Sequence, residues 1–512
     1  MDGLSGLDLR ADGAPHAVVI GAGFGGLAAA VRLGAKGYRV TVVEKLDGPG
    51  GRAYTFRQDG FTFDAGPTIL TAPHLFEELW ALCGERFSDH IDLRALDPFY
   101  RIRFDDGTVF SAFADEDATR AEIARIAPED LAGFDRFLEA SQNIFDAAYT
   151  KLAAEPFHEF PALLAAAPDM IRLGGYRSVY GKVASYFTNE KLRIAFSFHP
   201  LFVGGNPYST SAYYCLISHL ERLWGVHYAV GGTGALVRGL VDLIEGQGNR
   251  VRLGCEVDEV LVQDGRASGV RLAGGETITA DLVVSNAEVG WTYSKLLRHA
   301  PKRVWTERKV DSVRHSMSLF VWYFGTDRTF PDVDHHTILL GARYKGLLDD
   351  IFRTKTLAED FSLYLHRPTA SDPSLAPEGC DAFYVLAPVP NLDSGVDWKA
   401  IAPAFRERVA ARLEEHLLPG LRSHVISERF MTPIDFRDRL LSSKGAAFGP
   451  EPLLFQSAWF RPHNLSPDVD GLYLVGAGTH PGAGVPSVLC SAKVVDALVP
   501  DAAFWRAVTP FR

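Results

Sequence analysis

Residues 16–44 restrict the fold more than any other part of the chain. His16–Ile20 is a short apolar run of strand type, followed by Gly21-Ala-Gly23-Phe24-Gly25-Gly26. An Ala/Leu-rich stretch over 27–37 reads as a helix closing on glycine, and 38–43 is a second β-branched strand ending on the acid Glu44. Strand, glycine turn, helix, strand and carboxylate in this order form a nucleotide-binding unit. Gly21 permits the tight turn, Gly23 a close approach of backbone to a pyrophosphate, and Gly26 close contact of helix with strand. The helix start offers unpaired N–H groups and a positive dipole end to phosphate. Glu44 can accept hydrogen bonds from ribose hydroxyls and would repel a 2′-phosphate, so NADP is disfavoured.

Two further stretches extend this unit. Residues 471–476 form an apolar strand, and 477–484 carry a second glycine turn that feeds a helix running to about Leu498. Its start would favour negative charge on a bound group. In the middle, 228–236 lead into a helix to about Gly246, then a strand over 250–262 with Val257 near its middle, then a return strand over 280–287. The fold class expected is α/β. A Rossmann-type domain is assembled from discontinuous segments (15–75, 226–290 and 466–500). Residues 76–225 and 291–465 make an α+β substrate domain with a helical region suited to an interface.

Composition excludes several classes. A formal charge of −11 and a pI near 5.8 argue against a polyanion partner, so no nucleic acid is expected. The five cysteines (Cys83, Cys215, Cys255, Cys380, Cys490) are scattered without a CxxC pair, which suits neither a disulfide framework nor a zinc site. Residues 1–14 carry charges and no apolar run, and read as a loose lead, not a signal peptide. The apolar stretches 17–35 and 472–492 are interrupted by glycines and fit strand–helix units better than membrane spans. Any membrane association is therefore expected to be peripheral.

The segment Gly50-Gly51-Arg52, within eight residues of the acid Glu44, resembles the second cofactor contact of the large flavoprotein family that includes amine oxidases and carotenoid desaturases. Over roughly 15–500 the chain resembles the bacterial-type phytoene desaturases. The specific matches are Ala195-Phe-Ser-Phe-His-Pro-Leu-Phe-Val-Gly-Gly-Asn206-Pro, Phe361-Ser-Leu-Tyr-Leu-His366, Tyr384-Val-Leu-Ala-Pro-Val-Pro390, Gln456-Ser-Ala-Trp-Phe-Arg-Pro-His463-Asn and Leu474-Val-Gly-Ala-Gly-Thr-His-Pro-Gly-Ala-Gly484. The resemblance implies non-covalent FAD and stepwise desaturation of phytoene to more conjugated carotenes, lycopene or an intermediate such as neurosporene. It implies FAD contacts from Gly21, Gly23, Phe24, Gly25, Gly26, Glu44, Gly51, Arg52, Gly66, Pro67, Thr68, Val257, Gly478, Thr479 and Val485. Other readings on the same fold are a carotenoid ketolase or isomerase, a desaturase of derivatised carotenes, a prenyl-lipid binding module and an amine oxidase.

The residues themselves suit an oily ligand. Eight aromatics lie between Ala195 and Tyr228, among them Phe196, Phe198, Phe202, Tyr213 and Tyr214, about twice the density set by the 11% of the whole chain. Strands over 316–325 and 383–390 are expected beneath the substrate cavity. Residues 151–200 hold six Lys or Arg against four Asp or Glu. Within them 171–187 places Tyr176, Val179, Tyr180, Val183 and Phe187 at helical spacing with Arg172, Arg177 and Lys182 off the stripe, a basic amphipathic pattern suited to an anionic bilayer. The expected setting is cytoplasmic, at the inner face of the cell membrane. Phytoene and its carotene intermediates are the expected small-molecule partners, with oxygen or a quinone as electron acceptor. Asp64, His199, Glu221, His335, His336 and His480 are candidate helpers, but the sequence ranks none of them, and no catalytic acid or base and no metal ligand is assigned.

Overall fold

The computed structural model describes residues 13–508. Five parallel strands form the central sheet in the spatial order Leu472–Leu474, Leu282–Ser285, His16–Ile20, Arg39–Val43, Arg250–Arg252. The opening strand is buried along its whole length, pairing Val19 with Val284 on one side and Val42 on the other. A strand enclosed on both sides and both faces needs a continuous apolar run, and His16–Ile20 supplies one. Helix Phe24–Ala35 packs against helices Val485–Leu498 and Thr233–Gly246. The sheet thus draws strands from both ends and the middle of the chain.

The expected strand over 250–262 divides. Arg250–Arg252 stays in the parallel sheet, whereas Val257–Gln263 begins a separate antiparallel three-stranded sheet with Arg266–Leu272 and Thr277–Thr279. Gly254, at φ +64°, turns the chain between them. Val257 therefore opens the second strand.

A seven-stranded sheet carries the other half of the molecule, ordered Val425–Met431, Ser318–Thr326, Asp381–Val389, Leu363–His366, His336–Leu339, Tyr100–Arg103, Val109–Ala112. Ser318–Thr326 pairs antiparallel with Asp381–Val389, and all nine of its residues are buried. Leu319, Val321 and Tyr323 face a core shared with the cavity, while Phe320, Trp322 and Phe324 pack on the far side with helix Trp398–His416. Both faces are covered, so the sequence is continuously apolar or aromatic from Leu319 to Phe324.

The expected helix over 171–187 does not form. Helix Phe160–Arg172 ends just after position 171, Gly174 turns the chain at φ +75°, and only the short helix Val179–Val183 follows. Val179, Val183 and Phe187 are fully buried in the core. Arg172 pairs with Asp169, Arg177 donates to the Gly181 carbonyl and Lys182 to that of Leu173. The helical spacing of apolar residues came from core packing across a turn, and two of the three cations close that turn. The exposed apolar helix is its predecessor, Phe160–Arg172, none of whose residues is buried.

Candidate active site

One cavity of about 880 Å³ runs between the parallel sheet and the seven-stranded sheet, near the upper end of the range for small-molecule sites. Gly21, Gly23, Phe24 and Gly25 border it, and Glu44 lies at the tip of the next strand. The Glu44 carboxylate is buried and fixed, accepting from the Ala22 N–H (2.7 Å) and the Leu46 N–H (2.9 Å). Each carboxylate oxygen retains acceptor capacity for a ribose hydroxyl. The helix Phe24–Ala35 has Gly23 as its cap, with no side chain satisfying its first N–H groups and no acid in its first turn. Such a start is built to receive phosphate.

The glycines are required by space as well as by φ. A Cβ on Gly26 would stand 2.0 Å from the Gly21 carbonyl oxygen, and one on Gly25 3.0 Å from Gly476. Gly21 and Gly476 have φ of +91° and +95°. Asn286 lies where these turns meet, close to Gly21, Gly23, Gly25 and Gly476, and borders the cavity. Sequence reasoning treated it as the end of a strand. Its signal was an amide directly after the fourth parallel strand in chain order, level with both glycine turns.

Of the residues assigned from the sequence, Gly51, Arg52, Gly66, Pro67, Thr68, Val257 and Val485 also border the cavity. Gly26, Gly478 and Thr479 do not. Gly26 serves the helix–strand contact, Gly478 backs onto Val289, and the fully buried Thr479 hydroxyl is engaged with the Gly476 and His480 carbonyls. Arg52 spends two donors inside the protein, on the Ala447 carbonyl (2.7 Å) and the Ser442 hydroxyl (2.6 Å). Burial lowers its pKa, and the Glu288 carboxylate opposes that shift. The cradle fits FAD on its glycines, its open helix starts and its fixed carboxylate.

Beyond this cradle the cavity becomes hydrocarbon-like. Leu319, Val321, Ile338, Leu386 and Pro388 from the large sheet face Phe198, Phe202, Leu216 and Ile217. The expected strand pair does underlie it. At the rim Thr68 hydrogen-bonds to Tyr364 (2.9 Å) and Tyr384 (2.7 Å), and Tyr384 donates to the Gly66 carbonyl (3.1 Å). Behind Tyr364 lies a buried cluster: Tyr364 to His336 Nδ1 (2.8 Å), His366 Nε2 to His335 Nε2 (3.1 Å), and His335 Nδ1 to Ser371 (2.8 Å). Burial, with Arg367 adding to it, holds His335 down at about 3, and burial, with the neighbouring histidines adding to it, holds His336 and His366 well below the ordinary imidazole value.

The remaining sequence candidates separate cleanly. Asp64 caps helix Thr233–Gly246 by accepting from Thr233 N (2.9 Å) and Gly234 N (3.3 Å). His480 borders the cavity with Nε2 bonded to the Leu152 carbonyl (3.0 Å), and burial keeps it at about 4. His199 and Glu221 meet Tyr100 in a buried trio, and Glu221 borders the cavity.

The chain matches the flavin-containing amine oxidoreductase family over residues 24–495. It is 50% identical to a neurosporene-forming phytoene desaturase of Cereibacter sphaeroides over 96% of each chain. It is 48% identical to a lycopene-forming phytoene desaturase of Pantoea ananas, over 94% of this chain and 98% of that one. The chain belongs to the bacterial carotenoid desaturases. Among solved structures, an oxidoreductase of Methanosarcina mazei superposes with a TM-score of 0.65 at 19% identity, over 94% of this chain and 99% of that one, a likeness of fold. FAD is the cofactor of the family, and the cradle described above is where this carotenoid desaturase would hold it.

Proposed function

We propose that this enzyme desaturates phytoene in successive steps to neurosporene or lycopene, taking the polyene directly from a lipid surface at the cytoplasmic face of the cell membrane. Electrons then pass to oxygen or a quinone. The observation that carries this reading is the continuity of one cavity, from a dinucleotide cradle, past a wall of aliphatic and aromatic side chains, to the inner face of the exposed helix Phe160–Arg172. Relatives of near-equal identity form either of the two products, so the end point belongs with the proposal.

Bound FAD supplies the two-electron oxidant. The protein contributes position and dryness. Strands Ser318–Thr326 and Asp381–Val389 form a rigid floor, and Phe198 and Phe202 face it, so an extended chain has to lie along the cavity axis. The Thr68–Tyr364–Tyr384 group is the polar edge of this compartment, its hydroxyls already satisfied by one another and by Gly66 and His336. All five cysteines are free, which accords with a reducing compartment.

The test is anaerobic mixing of the yellow holoprotein with phytoene-loaded liposomes. Flavin bleaching and an extract with a longer conjugated chromophore are expected, and the spectrum of the extract counts the desaturation steps. Re-oxidation by a quinone without added pyridine nucleotide is expected to sustain turnover. A flavin that stays yellow with a colourless extract would overturn the proposal.

A further inference from the structure

Among the described residues three arginines are buried: Arg32, Arg367 and Arg461. Two of them are paired. Arg32 meets Glu78 (2.9 Å) and Asp496 (3.5 Å), and Arg367 meets Asp381 (2.9 Å). Arg461 is the most enclosed, at 2% exposure, and forms no ion pair with a carboxylate. Its donors go to backbone carbonyls instead: Nε to Thr479 (2.9 Å), Nη2 to Ala477 (2.6 Å) and Nη1 to Gln456 (3.4 Å). Burial lowers its pKa, but a guanidinium in a protein keeps its proton. A cation taken out of water without a counter-charge costs stability, and neutral carbonyls offset only part of that.

Two of those carbonyls fix where the charge lies. Ala477 and Thr479 belong to the turn between strand Leu472–Leu474 and helix Val485–Leu498, and Ala477 itself borders the cavity. The order of the parallel sheet shows which half of the cofactor meets this turn. Glu44, at the tip of Arg39–Val43, is set for the adenosine ribose, and the helix start after His16–Ile20 for the diphosphate. The flavin half then has to lie the other way, over Asn286 after Leu282–Ser285 and over Gly476 after Leu472–Leu474, the next two strands in the sheet. Asn286, Gly476, Ala477, Gly484 and Val485 all border the cavity along this course. The helix start there already favours an anion, since its cap is Gly484 and no side chain satisfies it. The Arg461 charge reaches through the wall: after burial, it helps to hold down the imidazole of His480, which borders the cavity.

We infer that Arg461 tunes the redox balance of the cofactor: from behind the turn that closes the flavin half of the cradle, its unpaired charge stabilises the reduced form over the oxidised one. Neutral oxidised FAD that takes up a hydride, two electrons with one proton, gains one negative charge. A cation fixed close by in a poorly screened interior favours that state. The counter-charge that the protein does not give Arg461 is thus supplied by the reduced cofactor. Arg461 does not border the cavity; it is a positioning residue that acts through the turn it holds. The inference rests on FAD as the cofactor and not on which polyene is oxidised.

Arg461→Gln keeps an amide donor for the Ala477 carbonyl and removes the charge, whereas Arg461→Lys keeps the charge and removes the planar fork. The readout is the midpoint potential of each purified holoprotein against a reference dye, with no substrate present. For Arg461→Gln the preference for reduced over oxidised FAD is expected to fall at least about tenfold, which moves a two-electron couple about 30 mV more negative. Arg461→Lys is expected to stay within about threefold of wild type, because a point charge at the same place keeps the Coulomb interaction. An unchanged potential in a folded, FAD-loaded Arg461→Gln overturns the inference. So does an equal shift in Arg461→Lys, which would assign the effect to the shape of the turn. If Arg461→Gln does not fold or does not hold FAD, the wild-type cofactor decides. Once reduced, it is expected to show the spectrum of the flavin anion at and below neutral pH, and a neutral reduced spectrum there overturns the inference. A wild type that never bleaches with phytoene would overturn the substrate reading alone, since the potential is measured without substrate.

Discussion

Glu44 and Asp64 are both buried acids at the cofactor end, yet their surroundings set them different tasks. Glu44 borders the cavity and is held from behind by Ala22 and Leu46. Placing Arg there would aim donors at donors and fill the space for an adenosine ribose. Glu44→Arg is expected to lower the flavin content of the purified protein at least tenfold, read from the ratio of flavin to protein absorbance; full occupancy in a folded variant would contradict the ribose role. Asp64 instead caps a helix away from the cavity. Burial, only partly offset by the Thr233 and Gly234 N–H groups, raises its pKa from 3.8 to about 6. Because the folded value is the higher one, the native state is favoured below pH 4 by this group and loses that contribution as pH rises through about 6, a change of about 3 kcal/mol. Between pH 4 and 6 this slope opposes the acid loss of stability, so Asp64→Asn is expected to make Tm fall more steeply on acidification from pH 6 to 4 and to leave its pH dependence above about 6 unchanged, measured by calorimetry on the holoprotein. These two roles were not equally legible. The Glu44 position follows from local order along the chain, strand after glycine turn after strand. The partner of Asp64 is a helix start far along the sequence, which no local pattern announces.

At the scale of elements, the histidines from strands His336–Leu339 and Leu363–His366, together with the adjoining His335, form a cluster that only sheet pairing brings together, with His336 opposite His366. In sequence His335 and His336 are unranked candidate helpers, and nothing local joins His366 to them. Folded, all three are neutral, with His335 held near 3 by burial and by Arg367. Their unfolded pKa is the usual 6.5, so the stabilisation is complete above that value and is lost as pH falls below it. Each group contributes a slope of about 1.4 kcal/mol per pH unit, so the three together give about 4 kcal/mol per unit just below pH 6. Steep loss of Tm between pH 6 and 4 is expected, with His366→Phe making the loss shallower by about a third; an unchanged slope would remove the cluster from the acid response. Elements with one dominant period were legible: the glycine-capped helices, the opening strands and the cavity floor all lie where the pattern places them. The pattern misled at 171–187 because a stripe of apolar residues at helical spacing also arises when two short pieces turn about Gly174 and bury the same side. It misled at 250–262 because an apolar run does not reveal which of two sheets each half joins.

The whole molecule shows what those single segments do not: one wall of the cavity is also its outer surface. Helix Phe160–Arg172 turns Ala162, Ala165, Ala166 and Met170 toward the cavity and leaves Phe160, Leu164 and Ile171 at 55%, 58% and 70% exposure. Tyr176 lies just beyond at 71%. Across the entrance, Leu454 and Ala458 border the cavity while Phe455 is 73% exposed, and Trp459 stacks edge-on to Phe160 with centroids 5.8 Å apart. Large apolar side chains gathered around an opening mark a contact surface. Among the described residues no helix is long and apolar enough to cross a membrane, so we propose that contact is interfacial, with each inserted side chain worth roughly 1.5–3 kcal/mol. A long hydrocarbon has almost no concentration in water, so this opening would pass substrate and product between bilayer and cavity without an aqueous step. The triple variant Phe160→Glu/Leu164→Glu/Ile171→Glu is expected to keep FAD, lose co-flotation with liposomes and convert liposomal phytoene at least tenfold more slowly, while retaining most of its rate on detergent-dispersed phytoene. Reversing Arg172, Arg177 and Lys182 would be the wrong experiment, since Arg177 and Lys182 hold the turn that follows the helix. If the triple glutamate variant still floats and still converts liposomal phytoene at the wild-type rate, the substrate enters elsewhere, and the exposed aromatic rim would need another explanation.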